Sequence, residues 1–521
     1  MAAKKSGTQQ NTSEDTLKLY TQFFGGIGRD DKSTQPGVCS NVEELDILEN
    51  ANFVRPTLIM SGDTVPSSVE FYAFCVDDSD TGYAYGKNTS SGKAVIYTKS
   101  TISANSPGSW TLLLTSGGNA NILSPIEYHK VTESNVTNKY VYYVTGTNTL
   151  MRYGPLGGSS TEATVGTLSQ IGGAGFYDRI TFRRLYGTLY ITNGIYISQV
   201  DDNAVFTEKK FTLPFDVYAV DIAPASDVGV ILCRYSDRNI NAGIGYWWDL
   251  VSPDTFDDHF DVPMGGVQWI YNFKQTIIWC CCANGIMKLF QLSSPNPGAV
   301  VIPFPNIQLN NVATEGDTQP LSPTKSTFTK DDMFHFAVQK TDKTGIYAIG
   351  KLDYQYPIAL WLAKRFNTTN YSLHAPIAAR AFGQNFWGAY ADNGTNTTVS
   401  CLANSASRSS NAVIESTWQD NTQPLNFKDI EKAYVASYPI SSGCSLTLSV
   451  APDYGSYQTM QTAGGVAMNI LNAVRAIFRK FGANPLNNKL VYKWKVAFTS
   501  SGAVAAQLTA VGIRIITKMI D

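Results

Sequence analysis

The chain is 521 residues long, 43% apolar and only 16% charged, with a net charge of −2. That length exceeds what one core organises and points to two to four domains of about 100 to 200 residues each. The near-neutral charge excludes a chain-wide nucleic-acid surface, which needs a strongly basic domain. Forty-two glycines beside 28 tyrosines and 25 phenylalanines are the makings of short strands and tight turns, because aromatic side chains fit pleated surfaces; an all-β chain is expected.

From the N-terminus, residues 1–15 carry two lysines with no apolar run behind them, so residues 1–20 read as a flexible tail and not as a secretory signal. Residues 21–56 form an arm. Beyond them, pairs of alternating apolar strands joined by a polar turn recur. Leu189 to Ile197, with Asn193-Gly194 at its centre, and Thr276 to Leu292, with Asn284-Gly285, are the clearest, since Asn-Gly tolerates the positive φ of a two-residue hairpin. Weaker copies turn near Lys87, Thr147, Arg238, Lys343 and Asn393. The spacing of about 45 to 60 residues is near that of four-stranded propeller blades, and radial closure protects the edges of so much sheet. The expectation is a β-propeller of about seven blades over residues 57–420, with a pair of sandwiches or a β-helix as alternatives.

After Asn421-Thr422-Gln423-Pro424 the pattern changes. Strands are expected at Ile430 to Ala436, Leu446 to Val450, Tyr492 to Phe498 and Val511 to Met519. Met468, Leu471, Val474, Phe478 and Phe481 recur at helical spacing, and Gly482 offers a cap, so a helix is expected over 468–481. Residues 425–521 thus read as a C-terminal β-sandwich carrying one inserted helix. From Tyr454 to Ile520 there is no Asp or Glu against eight Lys and Arg, among them Arg475, Arg479, Lys480, Lys493 and Lys495. Tyr492 and Trp494 alternate with the lysines and point the other way, so docking to an acidic protein is preferred to a nucleic-acid groove.

Residues with chemical potential are scattered. The apolar tail from Ala503 to Ile520 is interrupted by Gln507, Thr509, Arg514 and Lys518, which argues against a spanning helix. Eight cysteines show no CxxC pair; Cys280, Cys281 and Cys282 alternate faces on one strand and read as buried thiols. Four histidines lack metal-site spacing, and no GxSxG elbow occurs. Asp77-Asp78-Ser79-Asp80-Thr81-Gly82 half-matches a cation loop but reads more simply as a hairpin turn. Asp254, Asp257 and Asp258 before His259 could act as paired carboxylates if a cleft set them about 5 to 9.5 Å apart. No catalytic, cofactor or metal residue is assigned, and the expectation is a protein that is not an enzyme.

Two segments resemble the β-propeller tail proteins of tailed bacteriophages, including the nozzle-type proteins of short-tailed phages. One is Phe23-Phe24-Gly25-Gly26 through Asp30-Asp31, Gly37 and Asn41 to Ile47 and Pro56. The other is Phe427 to Tyr434, followed by Ser442 to Val450 and Asp453-Tyr454-Gly455; the hairpins at Tyr83 to Tyr97 and Leu185 to Ile197 are also similar to that family's blades. The helix expected over 468–481 departs from the family's sandwich. The resemblance implies a structural virion protein of the tail, assembled in the host cytoplasm: a homo-oligomeric ring, often of six copies, meeting adaptor, fibre or other tail proteins, with genomic DNA passing through and no membrane insertion. Phe23, Phe24, Asp30 and Asp31 of the arm, with Arg475, Arg479, Lys480, Lys493 and Lys495, are the expected assembly contacts. The rival reading is a propeller used for adsorption that binds or hydrolyses host-surface glycans, with Gly245-Tyr246-Trp247-Trp248 or Phe386-Trp387 as sugar platforms.

Overall fold

A computed structural model describes residues 13–23, 27, 38–48, 52–79, 81–99, 108–146, 148–169, 180–235, 241–310, 327–330, 333–338, 343–351, 358–365, 376–382, 385–391, 399–420, 425–463, 465–468, 475–478 and 486–518. Among these every regular element is a strand. The chain divides into two compact units, one of residues 60–348 and 365–405, the other of residues 1–59, 349–364 and 406–521.

The first unit is a propeller. Blade 1 is a four-stranded antiparallel meander of Val69–Val76, Gly82–Asn88, Lys93–Lys99 and Thr111–Asn119. Blades 2 to 5 repeat it over Ile126–Thr167, Ile180–Thr212, Val217–Val262 and Val267–Asn310. Blade 6 opens with Thr327–Lys330, Met333–Val338 and Gly345–Gly350. Blade 7 is Pro376–Phe382, Asn385–Ala391 and Val399–Arg408, with Leu58–Gly62 from the N-terminal side as its fourth strand. The first strands lie side by side from blade 1 to blade 5 and from blade 6 to blade 7, and that of blade 7 returns to that of blade 1. Blades 5 and 6 meet through Trp269 and Tyr271, whose rings stand 4.7 and 4.3 Å from Phe334. Ring closure sets each blade's inner strand against its neighbours and packs the blade faces into apolar cores, such as Phe71, Phe74 and Trp110 in blade 1.

The two Asn-Gly hairpin signals hold with one refinement, while Lys87, expected near a turn, lies inside the strand Gly82–Asn88, paired with Glu70 and Ala94. Asn284 and Gly285 both take positive φ, 53° and 74°, as a type I′ turn demands. Asn193 instead pairs with Tyr196 inside the ladder, and Gly194 takes positive φ (64°), as in a turn with glycine first. The turns expected near Arg238 and Asn393 lie outside the described residues.

The second unit is a β-sandwich, and it takes up the N-terminal segment. Its first sheet runs Ser13–Tyr20, Leu508–Lys518, Phe427–Ser437, Arg475–Phe478. The second holds Ala359–Arg365, Cys39–Glu43, Val413–Ser416, Tyr492–Thr499, Ser445–Pro452 and two short flanking strands. Alternation drives both: Val511, Ile513 and Ile515 of one sheet, and Tyr492, Trp494, Val496 and Phe498 of the other, are buried. Two expectations are corrected here. Ser13–Tyr20 is no loose tail but an edge strand paired residue by residue with Val511 to Lys518. The helix expected over 468–481 is replaced, in its described part, by strands Ala467–Met468 and Arg475–Phe478, the latter paired with Ala433 to Ala436. The apolar spacing that suggested a helix had Phe478 as its one member on this strand, where it serves as a buried sheet residue.

Candidate functional site

The inner strands of the propeller carry its most concentrated polar chemistry. In blades 1, 4, 5 and 7 the register between the first and second strands slips by one residue near the start, at Phe71/Ala73, Ala219/Asp221, Val267/Trp269 and Pro376/Ala378. Such a bulge re-aims the residue that follows it. In blade 4 that residue is Asp221, whose side chain is fully buried. Its two oxygens accept from Arg183 of blade 3, Nε at 2.8 Å and a terminal nitrogen at 2.7 Å, and also from the Ile222 amide and, across the next blade boundary, the Ile270 amide at 3.1 Å. Burial alone would lower the Arg183 pKa; the Asp221 carboxylate outweighs it and raises it. Asn272 of blade 5 returns a bond to the Pro224 carbonyl at 2.8 Å.

The linkage continues the other way round the ring. Arg184 donates to the Tyr128 carbonyl of blade 2 at 3.1 Å. The Tyr128 hydroxyl donates to Asp78 of blade 1 at 2.7 Å, and Asp78 also meets Lys130 and, at 3.2 Å, Lys139. Lys130, then Tyr128, hold the Asp78 carboxyl far below the usual carboxylate range. Five consecutive blades are thereby joined, side chain to side chain or side chain to backbone. Among the residues that do this, Asp221 was invisible to motif search. Its one signal is a lone carboxylate in the apolar run Val217-Tyr218-Ala219-Val220-Asp221-Ile222, where a buried charge requires a partner.

The other sequence candidates fall into place differently. Asp77 accepts the Ser79 and Thr81 amides at 2.8 and 2.9 Å and the Tyr83 hydroxyl at 3.3 Å, a turn closed by its own carboxylate; Asp80 lies outside the described residues. Among the described residues no group of three His, Cys, Asp or Glu could hold a metal ion. Asp254 and Asp257 are exposed in the connection from the third to the outermost strand of blade 4, and Asp258 accepts the Gly298 amide at 2.7 Å. Tyr246, Trp247 and Trp248 are buried in the blades, so that sugar platform does not exist; the side chains of Phe386 and Trp387 lie outside the described residues. His129 and His335 are buried, His129 near the Asp201 carbonyl. Cys280, Cys281 and Cys282 are buried thiols outside any disulfide, and burial pushes up the pKa values of Cys280 and Cys281.

The expected assembly contacts divide. Phe23 is buried with its ring edge-on to Trp494 at 6.3 Å, so it belongs to the sandwich core and not to a surface. Lys493 and Lys495 each stand 3.7 Å from Glu415, which also accepts the Tyr457 hydroxyl at 3.0 Å, so this part of the basic stripe is half neutralised. Arg475 is exposed, its guanidinium 5.7 Å from the Tyr434 ring. Phe24, Asp30, Asp31, Arg479 and Lys480 lie outside the described residues.

No protein-family model matches the chain, and no curated protein matches it. Solved structures with a similar course include an exo-β-1,3-galactanase from Phanerochaete chrysosporium, 11% identical over 85% of this chain and 95% of that one, with a TM-score of 0.28. AofleA from Arthrobotrys oligospora is 10% identical over 65% and 95%, TM-score 0.33. Trypanosoma rangeli sialidase is 8% identical over 97% and 95%, TM-score 0.27. The expectation that the chain is not an enzyme is corrected on this finding: glycoside hydrolases and sialidases stand among the structures it is similar to, and a closed ring of blades is no ground for excluding catalysis. At these identities and scores the likeness assigns no residue a role.

Proposed function

We propose that the chain is an architectural propeller of a bacteriophage tail, built into a ring with other copies and with neighbouring tail proteins around the path of the genome. The observation that carries this reading is the use of the inner-strand charges. Arg183, Arg184, Asp221 and, at the blade 1 edge, Asp78 are engaged in joining blades. A buried ion pair of this kind contributes specificity of assembly more than stability, which suits a rigid disc. The resemblance of the Phe23 to Pro56 and Phe427 to Gly455 segments to phage tail propellers supplies the setting. Mass spectrometry of purified virions tests it: the chain should be recovered in stoichiometric amount from particles, and recovery from the lysate alone would defeat the reading.

A second reading, adsorption to host-surface glycans, is favoured by one feature. Phe256 is solvent-exposed beside Asp254 and Asp257, an aromatic face with carboxylates at its margin. A glycan array and a reducing-sugar assay, each with Phe256→Ala as control, decide it: binding or release that Phe256→Ala removes would favour this reading over the first.

A further inference from the structure

We infer that the outer face of the first sandwich sheet docks the acidic rim loop of blade 4 from a second copy of this chain, an inference that rests on the assembly reading above and names its surfaces. On that sheet Ile430, Ala433, Val435, Val511, Ile513 and Ile515 are buried on one side. The opposite side presents Leu17 and Leu19, 56% and 60% exposed, and Ile477, 40% exposed. Register aligns Leu19, Gly512, Tyr434 and Ile477 in a single row across all four strands. Gly512 leaves a dip in that row: a Cβ there would lie 3.4 Å from Leu17, 3.5 Å from Tyr434 and 3.6 Å from Leu19. Such a contiguous apolar row on a sheet face marks a contact surface.

Charge selects the occupant. Lys432 faces Arg514 across the ladder on this side, and Arg475 follows beside Tyr434. Two carboxylate residues stand one row beyond these cations, Asp429, which accepts the Asn488 amide at 2.7 Å, and, by register through Ile516, Asp15. The complement exists on the chain itself. From Asn239 to Phe273 there are five aspartates and no Lys or Arg. Within that stretch Val251 is 68% and Phe256 39% exposed, with Asp254, Asp257 and Asp261 exposed around them. The loop is already ordered by its own bonds: Asp249 accepts the Val251 and Ser252 amides at 2.8 and 2.7 Å, Asp258 accepts from Gly298, and Phe256 rests 4.6 Å from the Tyr246 ring. A preformed loop loses little entropy on binding. Apolar knobs ringed by carboxylates match an apolar dip ringed by cations, and complementary fields of this kind set partner and register. Two different patches meeting between copies make a heterologous contact, which closes into a ring or runs on as a filament.

Sedimentation velocity on the full chain, over a range of concentrations and salt, tests this. Self-association should rise with concentration and weaken with salt. Leu19→Glu, and separately the pair Asp254→Lys with Asp257→Lys, should each weaken it by more than about tenfold, the loss expected for a central contact of about 1.4 kcal/mol or more. All three positions are exposed, and unchanged circular dichroism melts verify that the variants fold. Each defective variant keeps one intact surface, so mixing the two should restore a one-to-one pair. A wild-type chain that stays monomeric throughout, variants that associate as the wild type does, or a mixture that fails to pair would each overturn the inference. Recovery of the chain in virions while it stays monomeric alone would sink this contact and leave the tail reading standing; pairing in solution with absence from particles would do the reverse.

Discussion

Arg183 and Asp221, on the innermost strands of adjacent blades, share two hydrogen bonds of 2.8 and 2.7 Å, and the carboxylate then reaches a third blade through the Ile270 amide. Removing either partner leaves the other charge buried and uncompensated, which costs about 3–5 kcal/mol. Asp221→Ala and Arg183→Ala should each lower the denaturant midpoint of the propeller, followed by tryptophan fluorescence. The double variant should lose less than the two single losses added together, because the residues act as one unit. Additive losses would mean that the pair does not hold the blades.

Gly266 precedes the inner strand of blade 5 at a φ of 68°, and a Cβ on it would stand 1.8 Å from the Cys282 carbonyl oxygen. That oxygen belongs to backbone, so it cannot swing aside. The Gly266 carbonyl also accepts the Cys282 amide at 2.7 Å. Gly266→Ala therefore combines a disfavoured backbone region with a steric clash, and a loss of about 2 kcal/mol or more is expected. Gly146→Ala, at a similar φ of 59° but with open space around the Cβ, should cost about 1 kcal/mol. Equal losses at the two sites would show that φ alone decides.

The sheet content and blade count were legible because hairpin turns punctuate the chain locally: Asn284-Gly285 needs no tertiary context to demand positive φ. Phe23 and Ser13–Tyr20 were not legible. Their strand partner, Val511 to Lys518, lies at the far end of the chain, and long-range pairing leaves no local periodic trace. Lys493 and Lys495 read as one basic stripe because alternation reports which face a residue takes but not what the neighbouring strand puts beside it. Glu415, brought alongside by the pairing of Glu415 with Lys495, was the missing charge. Asp221 failed for a third reason: the bulge before it reverses the alternation that sequence reading assumes.

His129 gives the propeller an acid-sensitive element. Burial, the largest cause, depresses its pKa, so the folded state holds it neutral. The unfolded chain takes up its proton near pH ~6.5. The stability associated with this group is thus fully present above that pH and is lost as pH falls through it toward the lower folded value. Thermal midpoints should decline from about pH 7 to about pH 5, and His129→Gln should flatten that decline. An unchanged slope in the variant would assign the dependence to other groups. Asp78, whose carboxyl is also held low, contributes only at more acid pH.

Cys280, Cys281 and Cys282 are consecutive on one strand, all buried and outside any disulfide, with burial raising the pKa values of Cys280 and Cys281. Cys39, in the sandwich, is pushed up to about 12 by the same cause. Thiolate is the reactive form, so these thiols should resist a disulfide reagent in the native protein and titrate at once in denaturant. Rapid native labelling at the three-cysteine strand, located by peptide mapping, would mean that blade 5 opens readily.

Tyr20 and Trp494 fasten the N-terminal strand to the far sheet of the sandwich: their rings lie 5.3 Å apart, and the Tyr20 hydroxyl meets that of Tyr492 at 3.1 Å. Burial pushes the Tyr20 phenol up to about 12. Trp494 is one of the largest fully buried side chains, so Trp494→Ala should cost about 3–5 kcal/mol. A cycle of Tyr20→Ala, Trp494→Ala and the double variant should return a coupling of about 0.5–1.5 kcal/mol for the ring pair. The edge strand answers to the same contact. Since Ser13–Tyr20 has one neighbour in its sheet, amide exchange along it should accelerate in Tyr20→Ala while Leu508–Lys518, flanked on both sides, stays protected. Exchange that is already fast in the wild type would place the strand's anchor elsewhere than at Trp494.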